Sequence, residues 1–223
     1  MAESSIIRLA MQLQEYFDQL APNWDKELTP ERLKCLGNIV KELGIKPGYH
    51  VLDIGSGTGV LLPLLIAELG DEGKITALDF SAEMLVQAQL KNFPPIVGFA
   101  QADVLDIPLP GNSVDLAICN SAFPHFDHKA SSLKEIARVL RTNGRLVICH
   151  TMSRAMVNQL HQSIGGAVAN HLLPDEFQLR GLIKQADSKI IHFEDGPERY
   201  LVIAEKNLEP QAQGLCPKPW PSG

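Results

Sequence analysis

The sequence lacks any apolar run approaching the roughly 20 residues needed to span a bilayer, which argues for a soluble chain. It has no CxxC pair: its four cysteines, Cys35, Cys119, Cys149 and Cys216, lie far apart, as expected of free thiols in a reducing, cytoplasmic setting. Lys/Arg clusters are missing too. With a formal charge of −6 and a pI near 5.6, the chain is poorly suited to polyanions, so no nucleic-acid substrate is expected. The opening MAESSIIRLAMQLQEYF has neither a basic segment nor a small-residue cleavage site, so no targeting signal and no membrane insertion are expected.

What is present reads as one α/β domain. At 223 residues and 45% hydrophobic content the chain can bury one sizeable core. Apolar residues from Ile6 to Leu20 recur at helical spacing. A second helix is announced by Thr29 as N-cap and Pro30 as first residue, with Leu33, Leu36, Val40 and Leu43 as its buried stripe. HVLDI then starts a series of strand-like runs at 74 to 80, 96 to 102, 113 to 119 and 144 to 150, separated by helical patterns near 59 to 70, 81 to 92 and 129 to 140. Such alternation predicts a Rossmann-like, doubly wound, mostly parallel sheet. After the fifth strand come two helical pieces around Gly165-Gly166, and the chain closes with KIIHFED and RYLVIAEK, an antiparallel hairpin that brings the count to seven strands. The expected organisation is a single domain over 1 to 206: helices over 1 to 46, a core over 47 to 150 and an inserted lid over 151 to 173. An irregular, proline-rich tail over 207 to 223 follows.

In VLDIGSGTGVL, Asp53 stands two positions before the alternating glycines Gly55, Gly57 and Gly59. The dinucleotide fingerprint GxGxxG is only imperfectly met, and the GK[ST] of a P-loop is absent. Asp53 discriminates further. At about 4 Å two unit charges interact by roughly 4 kcal/mol at an effective dielectric near 20, so this carboxylate opposes a pyrophosphate and favours a cationic nucleoside such as S-adenosylmethionine. Asp79, ending the second strand, is suited to ribose hydroxyls. Asp103, ending the third, is suited to the adenine amine, with the Val104 N–H for a ring nitrogen.

These motifs, with ITALDFSAEML, FAQADVLDIPLP, SVDLAICNSAFPHF and LKEIARVLRTNGRLVI in order, resemble the class I S-adenosylmethionine-dependent methyltransferases over residues 15 to 205. YFDQLAPNWD resembles the segment before the core in the ubiquinone and menaquinone biosynthesis C-methyltransferases. The resemblance implies S-adenosyl-L-methionine as cofactor and S-adenosyl-L-homocysteine as product. It also implies that Asp53 lies near the methionine ammonium and that Gly55, Gly57 and Gly59 back the methionine and ribose. Asp79 would hold the ribose, Phe80 and Met84 flank the adenine, Asp103 binds its amine and Asn120 meets the methionine end. Two departures stand out: TNG replaces the usual proline-glycine-glycine before the fifth strand, and 151 to 173 matches no shared motif.

Five of the seven histidines, His125, His128, His150, His161 and His171, follow the fourth and fifth strands, where ligands of open α/β sheets bind. Imidazole titrates near neutrality, so His125 and His161 are the candidate bases for methyl transfer to a small organic acceptor by in-line displacement. No recognised metal-ligand spacing accompanies them. A non-catalytic protein binding adenosylmethionine or adenosylhomocysteine, a methyltransferase acting on a protein, and a nicotinamide oxidoreductase are the competing readings. The pattern specifies neither the acceptor nor an oligomeric state.

Overall fold

A computed structural model describes the backbone of residues 2 to 207 and the side chains from residue 11 onward. The expected tail beyond 207, with Cys216, and the side chains of Ile6, Leu9 and Ala10 lie outside the described residues.

The strands are β1 (His50–Ile54), β2 (Lys74–Asp79), β3 (Val97–Gln101), β4 (Val114–Asn120), β5 (Leu140–His150), β6 (Ser188–Asp195) and β7 (Tyr200–Lys206). They form one sheet in the order β3-β2-β1-β4-β5-β7-β6. Strands β1 to β5 are parallel, and β7 runs antiparallel to both β5 and β6, the expected C-terminal hairpin. Helices α3 (Leu62–Leu69), α4 (Ala82–Gln89), α5 (Lys129–Val139) and α7 (Glu176–Gln185) cover the faces, so β1 is buried at every residue. Because strand order reverses at β1 and β4, the chains leaving their C-terminal ends diverge and open a crevice.

Helix α2 (Pro30–Glu42) starts as its sequence predicts, the Arg32 N–H donating to Thr29 Oγ1 at 3.3 Å. Leu33 departs from expectation: it lies in the first turn and is 41% exposed, and the buried stripe begins later, at Leu36, Ile39, Val40 and Leu43. The fifth strand also begins earlier than its apolar run suggests. Pairing jumps from Val114 with Leu140 to Leu116 with Arg145, so Arg141 to Gly144 form a bulge. Asn143 takes φ 62° there, a conformation asparagine tolerates, and a Cβ on Gly144 would come within 2.8 Å of the Arg141 carbonyl. TNG thus makes the turn that a proline-glycine-glycine would make.

Two segments frame the crevice. Helix α1 (Ala2–Leu20) continues into a 3₁₀ turn (Ala21–Glu27), and Leu13, Phe17 and Ala21 pack against Met84 and Val168. Helix α6 (Arg154–Ile164) is followed by a 3₁₀ turn (Gly166–Val168). Among the described residues no helix is long and apolar enough to cross a membrane.

Candidate active site

A cavity of about 750 Å³ opens over the C-terminal ends of β1, β2 and β4, within the size range of small-molecule sites. It runs from Asp103 and Asp79 past Asp53 to His125 and His161, with Phe17 and Trp24 of the N-terminal segment on one side.

The loop after β1 is drawn against β2 by the Gly55 and Ser56 N–H groups, which both donate to the Leu78 carbonyl, at 2.8 and 3.0 Å. All three glycines have positive φ, but for different reasons. A Cβ on Gly55 would lie 2.5 Å from that of Ala122. Gly57 faces the cavity, where a Cβ would meet the Met84 sulfur and Trp24 Nε1, each at 3.9 Å. Gly59 does not line the cavity. A Cβ there would press on Leu62 at 2.8 Å and Phe93 at 3.2 Å, so this glycine lets the loop turn into α3.

Asp79 braces that loop. Its carboxylate accepts from the Gly57 N–H at 2.8 Å and the Ser81 N–H at 2.9 Å, each oxygen keeping a further lone pair. Burial raises its pKa despite these bonds. Asp53 is more exposed to imbalance than any neighbour: it is fully buried, and its Oδ2 has no partner, as is true of the Ser56 hydroxyl. Burial, and secondarily the nearby Asp79 carboxylate, push the Asp53 pKa up to about 7. A buried acid in that condition is a socket for a cation or a hydrogen-bond donor.

Asp103 lines the cavity, with its Oδ1 accepting from the Leu105 N–H at 2.8 Å, a local turn bond that leaves Oδ2 over. Val104, Phe80 and Met84 line the same end, and the Phe80 ring meets Phe17 edge to face at 5.8 Å. Asn120 closes the floor, its Oδ1 accepting from the Cys149 thiol at 3.8 Å.

At the far end the histidines gather. His125, in a 3₁₀ turn (Phe123–His125), has its ring centroid 4.8 Å from that of His161 on α6 and 5.1 Å from that of Phe17. His128 and His150 also line the cavity. Burial holds the pKa of His125 well below its ordinary value, with the His161, His171 and His150 rings adding to the effect, and it depresses that of His150 to about 3. Both are neutral imidazoles at physiological pH. Among the described residues no group of three or more His, Cys, Asp or Glu has an arrangement that would hold a metal ion.

Sequence reasoning missed what ties the N-terminal segment to this site. The Ser81 hydroxyl donates to Asp18 at 2.5 Å, the Thr58 hydroxyl donates to Asp25 at 2.5 Å, and Lys91 pairs with Asp25 at 2.6 Å. Only the quoted YFDQLAPNWD, which contains Asp18, Trp24 and Asp25, carried a signal.

Residues 52 to 148 match the methyltransferase domain family. Over those residues the core of this chain is similar to a methyltransferase domain. Over 110 residues the chain is 37% identical to a demethylmenaquinone methyltransferase of Corynebacterium kroppenstedtii, covering 49% of this chain and 44% of that one. Over 141 residues it is 31% identical to a 2-phytyl-1,4-naphtoquinone methyltransferase of Nostoc, covering 59% of this chain and 61% of that one. The matched part thus spans about half the length of those relatives. A crystal structure of an S-adenosylmethionine-dependent methyltransferase from Aquifex aeolicus superposes with a TM-score of 0.67 at 25% identity, covering 86% of this chain and 97% of that one. The methyltransferase domain fits its cofactor on its own chemistry. Asp53 and Ser56 offer unpartnered buried oxygens to an ammonium, Gly57 leaves room for a close approach, and Asp79 and Asp103 retain acceptor capacity toward ribose and adenine.

Proposed function

We propose that this chain methylates a ring carbon of a reduced quinone-type aromatic molecule. One observation carries the reading: a single cavity joins the Asp53–Asp79 end to a pair of imidazoles, His125 and His161, flanked by Phe17 and Phe126. The quinone-related names of the relatives point to the same acceptor class.

In this reading Asp53 and Asn120 hold the methionine end, Asp79 the ribose hydroxyls, and Asp103 with the Val104 N–H the adenine, which Phe80 and Met84 flank. The bound cofactor supplies an activated methyl group for in-line displacement. The chain supplies position and a base. A quinol carbon becomes nucleophilic when its hydroxyl loses a proton, and His125 or His161 takes that proton through a ring nitrogen. Methylation at carbon replaces a C–H bond, so one proton per turnover leaves the site by the same imidazoles. Residues 151 to 173 and α1 act as a cover that keeps water from the reacting centre.

The test is incubation with adenosylmethionine and reduced demethylmenaquinone, with mass spectrometry of both products. A methylated quinol and an equal amount of adenosylhomocysteine are expected. Binding of adenosylmethionine without turnover on quinols, phenols, amines or thiols would favour a non-catalytic binding protein, and turnover on a polypeptide alone would favour a protein methyltransferase.

A further inference from the structure

His171, which lies between the 166 to 168 turn and α7, touches both candidate bases. Its ring Nδ1 is 3.1 Å from the Nδ1 of His125, and its backbone carbonyl is 2.5 Å from the Nδ1 of His161. Its Nε2 lies 3.5 Å from Asp127 Oδ1. Asp127 lines both the main cavity and a second one, of about 680 Å³, and Tyr16 and Phe126 are likewise shared between the two.

The hydrogens follow from what each atom can do. A carbonyl only accepts, so His161 carries a proton on Nδ1, and in the neutral ring the lone pair is then on Nε2. The Nδ1 pair between His125 and His171 needs one N–H and one lone pair, which allows two arrangements. In one, His171 donates to His125, which places a lone pair of His171 against the Asp127 carboxylate. In the other, His171 points its Nε2–H at Asp127 and accepts the Nδ1–H of His125. Asp127 favours the second, as a carboxylate does when it orients an imidazole.

We infer that Asp127 and His171 are positioning residues that lock His125, and through the His171 carbonyl His161, into the Nδ1–H tautomer, presenting both Nε2 lone pairs to the acceptor. The inference rests on the reading of these histidines as bases. The charged and titratable groups around His125 are His161 on α6, His150 at the end of β5, His171, Asp127, and Lys129 on α5. Lys129 is already committed to the Pro124 and Phe126 carbonyls at 2.9 Å each. When His125 takes a proton from the acceptor hydroxyl, its Nδ1–H stays bonded to His171, so the new positive charge is shared toward Asp127 and solvent.

The test uses the full chain without ligand. Nitrogen-15 NMR of the imidazole rings at neutral pH is expected to show His125 and His161 protonated on Nδ1. Asp127→Asn can donate to His171 Nε2, which reverses the bond to His125 and moves its proton to Nε2, while Asp127→Glu restores the original state. His125 found protonated on Nε2 in the unaltered protein, or unmoved by Asp127→Asn, overturns the inference. With reduced demethylmenaquinone, Asp127→Asn is expected to lower kcat on the order of 10²-fold with KM nearly unchanged, because a misplaced tautomer removes the base and not the binding surface. If the tautomers behave as expected and the unaltered enzyme does not turn over, the acceptor reading fails and the lock stands.

Discussion

Replacing Asp53 by asparagine is expected to stabilise the ligand-free protein and to weaken its hold on adenosylmethionine. Burial beside Asp79 lifts the pKa of Asp53 from 3.8 to about 7. At about 1.4 kcal/mol per tenfold change in proton affinity, ionising it in the empty site costs about 4 kcal/mol. The folded pKa lies above the unfolded one, so the folded state binds the extra proton and stability falls as pH rises from about 4 to about 7. Asp53→Asn removes that cost. In urea denaturation it should gain up to about 4 kcal/mol over the unaltered chain at pH 8, and less than about 1 kcal/mol at pH 4. Affinity moves the opposite way. A cationic ligand selects the ionised carboxylate, whose fraction falls from about nine-tenths at pH 8 to about one-tenth at pH 6, so Kd should rise about tenfold across that range. The fluorescence of Trp24, on the cavity wall, reports the binding. In Asp53→Asn the affinity should be weaker at pH 8 and flat with pH. An asparagine variant no more stable at pH 8 than the unaltered chain, or a native Kd that ignores pH, would refute the reasoning.

Four further outcomes follow from the same geometry. Gly57→Ala adds a left-handed alanine in ordinary contact with Met84 and Trp24, costing about 1–2 kcal/mol of stability, yet it should abolish cofactor binding by filling the approach. Gly55→Ala, whose Cβ would meet Ala122 at 2.5 Å, should be the more destabilising of the two in thermal melts. Asp18→Ala removes the acceptor of the Ser81 hydroxyl and should release α1 from α4, seen as faster amide exchange in α1 and a higher KM at little changed kcat. His150, held neutral with a pKa near 3, should cost about 2 kcal/mol of stability by pH 5, because the unfolded imidazole protonates below about 6.5 and the folded one does not. The opposing Asp53 contribution masks this in the native chain. The loss is therefore expected in Asp53→Asn, and His150→Gln in that background should reduce it.

Most of the fold was legible because each strand is an apolar run bounded by turn residues, and β1 needed no alternation once helices covered both faces. The bulge at 141 to 144 was not, since one asparagine in a left-handed turn does not announce where pairing begins. At the site, Asp53, Asp79 and the glycines could be read from spacing, but Gly59 could not be separated from its partners without seeing Leu62 beneath it. His171 was invisible as the partner of His125 and Asp127: it lies 46 and 44 residues from them, in a contact that only the return of the chain from α6 creates, and no local period encodes it.

Calorimetry at pH 8 tests the central claim most directly: acidic side chains at three successive strand ends cradle a cationic nucleoside. Titration of adenosylmethionine is expected to show one site per chain, lost in Asp79→Ala and weakened in Asp53→Asn, with no heat from NADH. Equal binding of NADH, or adenosylmethionine affinity indifferent to both substitutions, would contradict it.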